Sequence, residues 1–458
     1  MIFKRCPTLK AAPRGKSQNR ADLLLLHLKD PFEITHPEKA FQSDDLSISL
    51  NIRGNNAYTK VSYPVKYGIF TRMETREMIL EFNLNHEIRH ARSKTRHWLH
   101  PSEWLKRTMG NDWIYYSSGG YAGVYEAIGE YYLPNFTYPT NSLLGGRPFE
   151  EPEVARIYQD WPKLLAAVPE GRSDMPARAA EWLAQVKTIT KAALENKAQN
   201  LFEICGARTT VLPPDARHSD YNVIPLTIAD GCLYKCRFCK VKNKKPFFPR
   251  TLDDIRRQIR NLARLYSSDL VNYNALFLGE HDALNAPADL IVSAARESYD
   301  CFGFARSYMT QPRLYLFGSV DSLLDADPHL FASLNALPFE TFINIGLESF
   351  DPSTLDQLGK PVTARKVGLA FDRMQAINQA CDRIEMTGNF VMDTLLSPDH
   401  TRAVLDLVRH RLNHAQPKGS VYLSPLTFAR PSREVLYDFY RLKTVSRLPM
   451  FLYIIQRL

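Results

Sequence analysis

The chain has 458 residues, 45 % of them hydrophobic, and a formal net charge of +9. That length suggests two or three globular domains. No run of about 20 apolar residues occurs, which excludes a transmembrane helix. Four of the seven cysteines (Cys6, Cys205, Cys301 and Cys381) are scattered singly, which argues against a disulfide framework.

Charge is unevenly spread. Residues 1–110 hold 19 Lys and Arg against 11 Asp and Glu, or +8 of the +9. This is either a solvated basic surface or a face for nucleic acid or another anionic partner. No nucleic-acid-binding motif supports the second reading. Leu23–Leu28 (LLLLHL) is too short to span a membrane and is flanked by Asp22 and Asp30. The basic N-terminus has no signal-peptide apolar region or cleavage site. The expected location is the cytoplasm, with no membrane partner.

Residues 1–55 read as a weakly ordered polar segment with a helix candidate near Ala21–Leu28. Residues 56–149 read as an aromatic-rich α+β module. YPVKYGIFTR, REMILEFNL and EIRHAR are short apolar runs and suggest an antiparallel meander. The stretch 97–141 then crowds Trp98, Trp104, Trp113 and seven tyrosines with His97, His100 and Asp112. These aromatics either pack an irregular core or line a substrate surface. Residues 150–204 show three- and four-residue apolar spacing and read as a helical bridge.

From Val223 the pattern alternates strand and helix. Expected strands are Val223–Ala229, Asn274–Leu278, Arg313–Phe317, Glu340–Leu347, Met386–Met392 and Ser420–Leu426. Thr251 is the expected N-cap of the first helix. Such alternation argues α/β architecture with a parallel sheet. Six units over 205–458 match the count of a partial (β/α)6 TIM-type barrel, the fold that the resemblance given below implies, preceded by the α+β module.

The loop after the first strand carries Cys232, Cys236 and Cys239 in GCLYKCRFCK, spaced C-x3-C-x2-C. Three thiolates with no fourth nearby leave one iron of a [4Fe–4S] cluster open. Structural zinc sites want four closed ligands, and ordinary electron-transfer clusters take four cysteines. The competing reading is a zinc knuckle with His218 or His281 as fourth ligand. A loop after a parallel strand is where α/β barrels place their chemistry.

With this spacing, and with Phe238 before the last cysteine, the chain resembles the radical S-adenosylmethionine (SAM) superfamily. The resemblance implies a radical SAM barrel, a [4Fe–4S] cluster on the three cysteines, and SAM chelated to the open iron and cleaved to a 5′-deoxyadenosyl radical. It also implies an electron donor such as flavodoxin or ferredoxin. Gly279-Glu280, ending the second strand, are similar to the glycine-rich motif that receives the SAM amino group. INIGLESFDPSTLDQLGK resembles the pattern of coproporphyrinogen-oxidase-like, Elongator-like and methylthiotransferase enzymes, which puts Glu348 near the ribose and Lys360 near the SAM carboxylate. The third- and fifth-strand positions fall on Ser319 and Asn389. The resemblance covers roughly residues 220–430, and no catalytic side chain is assigned.

His281 and Asp282 either touch substrate or support the loop. The basic run Lys240–Lys245 is a solvated loop, a modulator of cluster potential, or a contact for an acidic donor or anionic substrate. No cobalamin-binding domain or second cluster motif is apparent. Substrate class stays open between a small metabolite and RNA or protein. The non-enzyme alternative is a metal-binding protein without catalysis. The N-terminal module is expected to cover the barrel mouth or select substrate.

Overall fold

The computed structural model describes residues 38–58, 66–99, 101, 103–116, 132–134, 148–169, 173–239, 246–279, 281–426, 433–453, 455 and 457–458. The helix candidate at Ala21–Leu28, His100, most of the aromatic stretch beyond Tyr116, the lysines of Lys240–Lys245 and Glu280 lie outside them.

Eight strands in chain order form one antiparallel meander. They are β1 (Glu38–Gln42), β2 (Leu46–Arg53), β3 (Ile69–Thr75), β4 (Met78–Phe82), β5 (Ile88–Ser93), β6 (Trp104–Arg107), β7 (Trp113–Tyr116) and β8 (Tyr132–Pro134). Two strands therefore occupy 38–53, where sequence reading expected weak order. Alternation in LSISLNIR buries Leu46, Ile48 and Leu50 and was there to be read.

One face of this sheet packs on helices α1 (Pro152–Ala166), α2 (Ala177–Thr188) and α3 (Lys191–Cys205). Met73, Leu80, Phe82, Leu105 and Tyr115 meet Ile157, Trp161, Trp182 and Leu183 there. Trp98 and Trp113 are buried in the same core. The described aromatics of the crowded stretch are packing residues.

Seven parallel strands make the second sheet, β9 (Val223–Thr227), β12 (Ala275–Gly279), β13 (Arg313–Gly318), β14 (Glu340–Glu348), β15 (Ile384–Met392), β16 (Val421–Pro425) and β17 (Met450–Leu452). Between β9 and β12 lies a two-stranded ribbon, β10 (Ala229–Asp230) with β11 (Phe248–Pro249). Each strand of the seven pairs with its neighbour in sequence, so the sheet winds one way and curls into an open barrel. Pro225 is tolerated because β9 is an edge strand. The seventh strand exceeds the six expected; MFL is too short to show a period of its own.

Side chains alternate across the wall. Leu276, Leu278, Leu314, Leu316, Ile343 and Ile345 face the outer helices, α4 (Leu252–Tyr266) and α5 (Ala288–Cys301) among them. Phe277, Tyr315 and Phe342 form a different cluster, with Trp104 and Ile114 of the N-terminal sheet. Thr251 caps α4, its hydroxyl accepting from Asp254 N at 3.2 Å. The remaining helices are α6 (Val320–Asp325), α7 (Pro328–Asn335), α8 (Pro352–Leu358), α9 (Ala364–Ala380), α10 (Pro398–Leu405) and α11 (Arg433–Val445).

The contacts between the two halves lie at the N-terminal ends of the barrel strands. Asn272, just before β12, donates to Ile69 O at 2.9 Å and accepts from Ile69 N at 2.6 Å. Tyr308 and Thr310, just before β13, bond the backbone at Gly54 and Asn56. The described N-terminal module thus closes the floor of the barrel, not its mouth, which corrects the expectation of a cover. Lys106 is the buried pin of this joint: its ammonium meets Asp220 Oδ2 at 3.1 Å and Asn222 Oδ1 at 2.9 Å. Removing one partner of a buried pair strands the other charge. Lys106→Leu is therefore expected to lower unfolding free energy by about 3 kcal/mol in denaturant titration. A loss below about 1 kcal/mol would show that the pair does not hold the joint.

Candidate active site

A cavity of about 220 Å³ opens at the C-terminal ends of the parallel strands. Its wall holds Cys232, Cys236 and Cys239, together with Phe238, His281, Ser319, Glu348, Lys360 and Asn389. Eight of the ten residues expected from sequence to hold cofactor or metal therefore share one cavity wall: the three cysteines, Phe238, the Glu348–Lys360 pair, Ser319 and Asn389. Gly279 does not line it: a side chain at that position would meet the Phe277 ring first. Glu280 lies outside the described residues.

The cysteine loop is tethered by its own intervening residues. Tyr234 turns inward and its hydroxyl accepts from Asp321 N at 3.0 Å, at the start of α6. Arg237 N donates to Leu358 O at 2.9 Å, and its guanidinium bonds Asp356 O, so it caps the C-terminal end of α8. Gly359, at φ +63, leaves the space that Arg237 fills. Asp230 and Arg250 close the base of the loop with a bidentate pair at 2.7 and 2.8 Å.

Lys360 follows α8 and is buried. Its ammonium lies 3.4 Å from Glu348 Oε1 and 5.2 Å from the centre of the Tyr234 ring. Burial raises the Glu348 carboxyl above the usual range, against the pull of Lys360. Burial likewise raises the Cys232 and Cys236 thiols, and at both Lys360 acts in the opposite direction. The lysine thus sits where it supports thiolates and would meet an anionic group of a ligand. Gly346, in the same contiguous motif as Glu348 and Lys360, makes room for the pair: a Cβ there would lie 2.7 Å from Glu348 Oε1.

Other wall residues have structural tasks as well. Ser319 is the N-cap of α6, its hydroxyl accepting from Ser322 N at 3.1 Å. Asp282 Oδ1 accepts from Ser319 N and Ser322 Oγ, both at 2.8 Å. Asp282 therefore supports the loop, which answers one half of the question left open for it. Phe238 packs against Leu358, Val391, Leu396 and Leu426.

Deeper in the barrel a polar chain ends at the cavity. Arg217 Nε donates to Tyr422 Oη at 3.0 Å, and Tyr422 donates to Asp215 Oδ1 at 2.7 Å. On the other side Asn344 Nδ2 donates to Thr387 Oγ1 at 2.9 Å, and Thr387 donates to Asp215 Oδ2 at 2.8 Å. Burial pushes the Asp215 carboxyl up to about 6, so at neutral pH it is mostly ionised and accepts from both sides. The amide of Asn344 is thereby fixed with Oδ1 free of protein partners in the cavity wall; Asn389 Oδ1 is a second such acceptor. Both are placed to receive hydroxyl or amine donors of a ligand. Asn344, Gly346 and Tyr234 were not assigned from sequence.

These residues fit the groups implied. Three thiols in one wall suit a cluster with an open iron; a buried cation and two unpartnered carboxamide oxygens suit a ligand carrying a carboxylate and hydroxyls. Among the described residues no three His, Cys, Asp or Glu side chains gather closely enough to hold a single metal ion. Of the two candidate fourth ligands for zinc, His218 stacks on Phe342 at 4.6 Å and its carbonyl is bonded by Arg313, the first residue of β13, away from the mouth.

A parallel barrel with a three-thiol loop at its mouth defines a class of iron–sulfur enzyme. Residues 226–408 match the model of the radical SAM superfamily. Members of that superfamily use a [4Fe–4S] cluster and SAM. No family model matches the N-terminal half, and no curated protein is significantly similar to the chain.

Solved structures that match include the cobalamin-dependent SAM radical enzyme OxsB, 17 % identical over 51 % of this chain and 33 % of that one, TM-score 0.32. A radical SAM methyltransferase from Sphaerobacter thermophilus is 15 % identical over 50 % and 65 %, TM-score 0.36. SuiB of Streptococcus suis is 10 % identical over 78 % and 72 %, TM-score 0.34. The chain spans about a third of the length of OxsB. Likenesses this loose carry neither substrate nor reaction across. No helix among the described residues is long and apolar enough to cross a membrane.

Proposed function

We propose that this enzyme cleaves SAM reductively at a cluster held by Cys232, Cys236 and Cys239, and so starts radical chemistry on a substrate that enters from the open mouth of the barrel. The observation that carries this is the convergence of the three thiols, the Lys360–Glu348 pair and two unpartnered carboxamide oxygens on one cavity. When bound, cluster and SAM supply one-electron cleavage of the sulfonium and a hydrogen-abstracting radical.

The chain's own part is to bind, orient and exclude water. Lys360 pairs with the SAM carboxylate, and Glu348 and Asn389 take ribose hydroxyls. Ser319 stands at the methionine end, and Phe238 packs the cluster loop from the side. By the resemblance, the Gly279-Glu280 motif receives the SAM amino group. An electron donor such as flavodoxin or ferredoxin meets the cluster loop, whose residues Leu233 and Lys235 are exposed. The cytoplasm is the compartment proposed for such an oxygen-labile centre.

The test is anaerobic reconstitution, chemical reduction and analysis of the nucleoside released from SAM. The expected product is 5′-deoxyadenosine, formed slowly without substrate. Intact SAM, or S-adenosylhomocysteine alone, would contradict radical cleavage.

A further inference from the structure

Glu348 holds an unusual backbone conformation. Its φ is +64°, in the left-handed region that a non-glycine residue adopts at a cost. The next residue closes back on the previous one, Ser349 N donating to Leu347 O at 2.9 Å. A bond from i to i+2 around a central residue of positive φ is the strained form of the γ-turn. The β14–β15 register shifts at the same point, between Gly346 and Glu348. This kink sends the Glu348 side chain back over Gly346 toward Lys360.

Strain of this kind persists only where neighbours over-determine it. Here the neighbour is a buried pair. Ser349 and His400 are 0 % and 4 % exposed. His400 Nε2 lies 2.8 Å from Val391 O, a carbonyl that only accepts, so Nε2 carries the proton. Burial holds the imidazole below the usual histidine range and so neutral, leaving Nδ1 an acceptor. Ser349 Oγ, 2.8 Å away, donates to it. The same oxygen accepts from Asp351 N at 3.0 Å. Asp351 is the N-cap of α8, accepting from Thr354 N at 2.9 Å and Thr354 Oγ1 at 2.7 Å.

The helix that starts at this cap ends on Arg237 of the cysteine loop and is followed by Lys360. One short strut therefore joins the Glu348 turn, the lysine and the cluster loop, and His400 fastens its near end to β15.

We propose that His400 and Ser349 are positioning residues for the SAM site, holding the strained turn that aims Glu348 into the cavity. The inference rests on the reading above that Glu348 contacts SAM. Neither residue lines that cavity, so they act through the turn and not by touching the ligand.

The experiment is a double-mutant cycle on reconstituted full-length protein, with SAM affinity measured by anaerobic calorimetry. Ser349→Ala and His400→Gln each remove the hydroxyl–imidazole bond. Each is expected to weaken SAM binding about fivefold, the worth of one hydrogen bond. His400→Asn, whose Oδ1 can take the place of Nδ1, should stay within about twofold of wild type. In a Glu348→Gly background, which keeps the backbone and has no carboxylate to aim, Ser349→Ala and His400→Gln should change affinity less than twofold, about the error of additivity for uncoupled sites. Equal losses with and without the Glu348 side chain would overturn the proposal, as would a fall in melting temperature with SAM affinity intact. If His400→Gln fails to fold, Ser349→Ala, which removes one oxygen, carries the cycle alone. If Glu348→Gly itself leaves affinity unchanged, the assignment of Glu348 to SAM falls and takes the proposal with it. If Glu348→Gly weakens binding and the other two do not, only the proposal falls.

Discussion

A Gly346→Val chain is expected to load its cluster fully and to bind SAM about 30-fold more weakly, a cost within the range for overpacking a tight site. A Cβ at this position would lie 2.7 Å from Glu348 Oε1 and 3.5 Å from Lys360 Nζ. No real Cβ contact is that short, so the carboxylate must leave. The atom that moves is the end of a flexible side chain, and Gly346 does not have a positive φ. The substitution therefore costs little stability and acts on the Glu348–Lys360 pair. Calorimetry with SAM, beside iron analysis and a melting curve, separates the three quantities. Undiminished SAM affinity would mean that the pair does not face the ligand.

Replacing any one of Cys232, Cys236 or Cys239 by Ala is expected to remove the cluster and reduce 5′-deoxyadenosine formation to background. Two thiolates cannot hold the cluster that three hold with one iron open. Cys301→Ser and Cys381→Ser serve as controls. Both lie apart from the cavity wall and should keep iron content and SAM cleavage. Iron and sulfide analysis after anaerobic reconstitution reads the effect, and retention of both in a Cys236→Ala chain would place the cluster elsewhere.

What could be read before the fold was known follows from range. The cysteine loop and the six longer parallel strands are local signals: tight spacing, buried apolar runs and caps such as Thr251. Glu348 and Lys360 stand in one contiguous motif, and the structure brings them to 3.4 Å. Gly346 lay in that motif unread, because its role is the space it leaves. Tyr234 and Arg237 were equally in view, but their anchors, Asp321 N and Leu358 O, are brought near only by the barrel. His400 reaches Ser349 across 51 residues, and Thr387 reaches Asp215 across 172. No periodicity reports such pairs. The docking of the N-terminal sheet on the barrel floor was illegible for a related reason. Lys106 and Asp220 look like ordinary surface charges until the two halves bury them together.

In the proposed site, one iron of a cluster held by the three cysteines is open to SAM in this cavity. The most direct measurement is electron paramagnetic resonance of the reduced, anaerobically reconstituted protein with and without SAM. The expected result is a reduced [4Fe–4S] signal that changes shape when SAM is added, in step with about four irons per chain. Zinc in place of iron, or a cluster signal indifferent to saturating SAM, would contradict it.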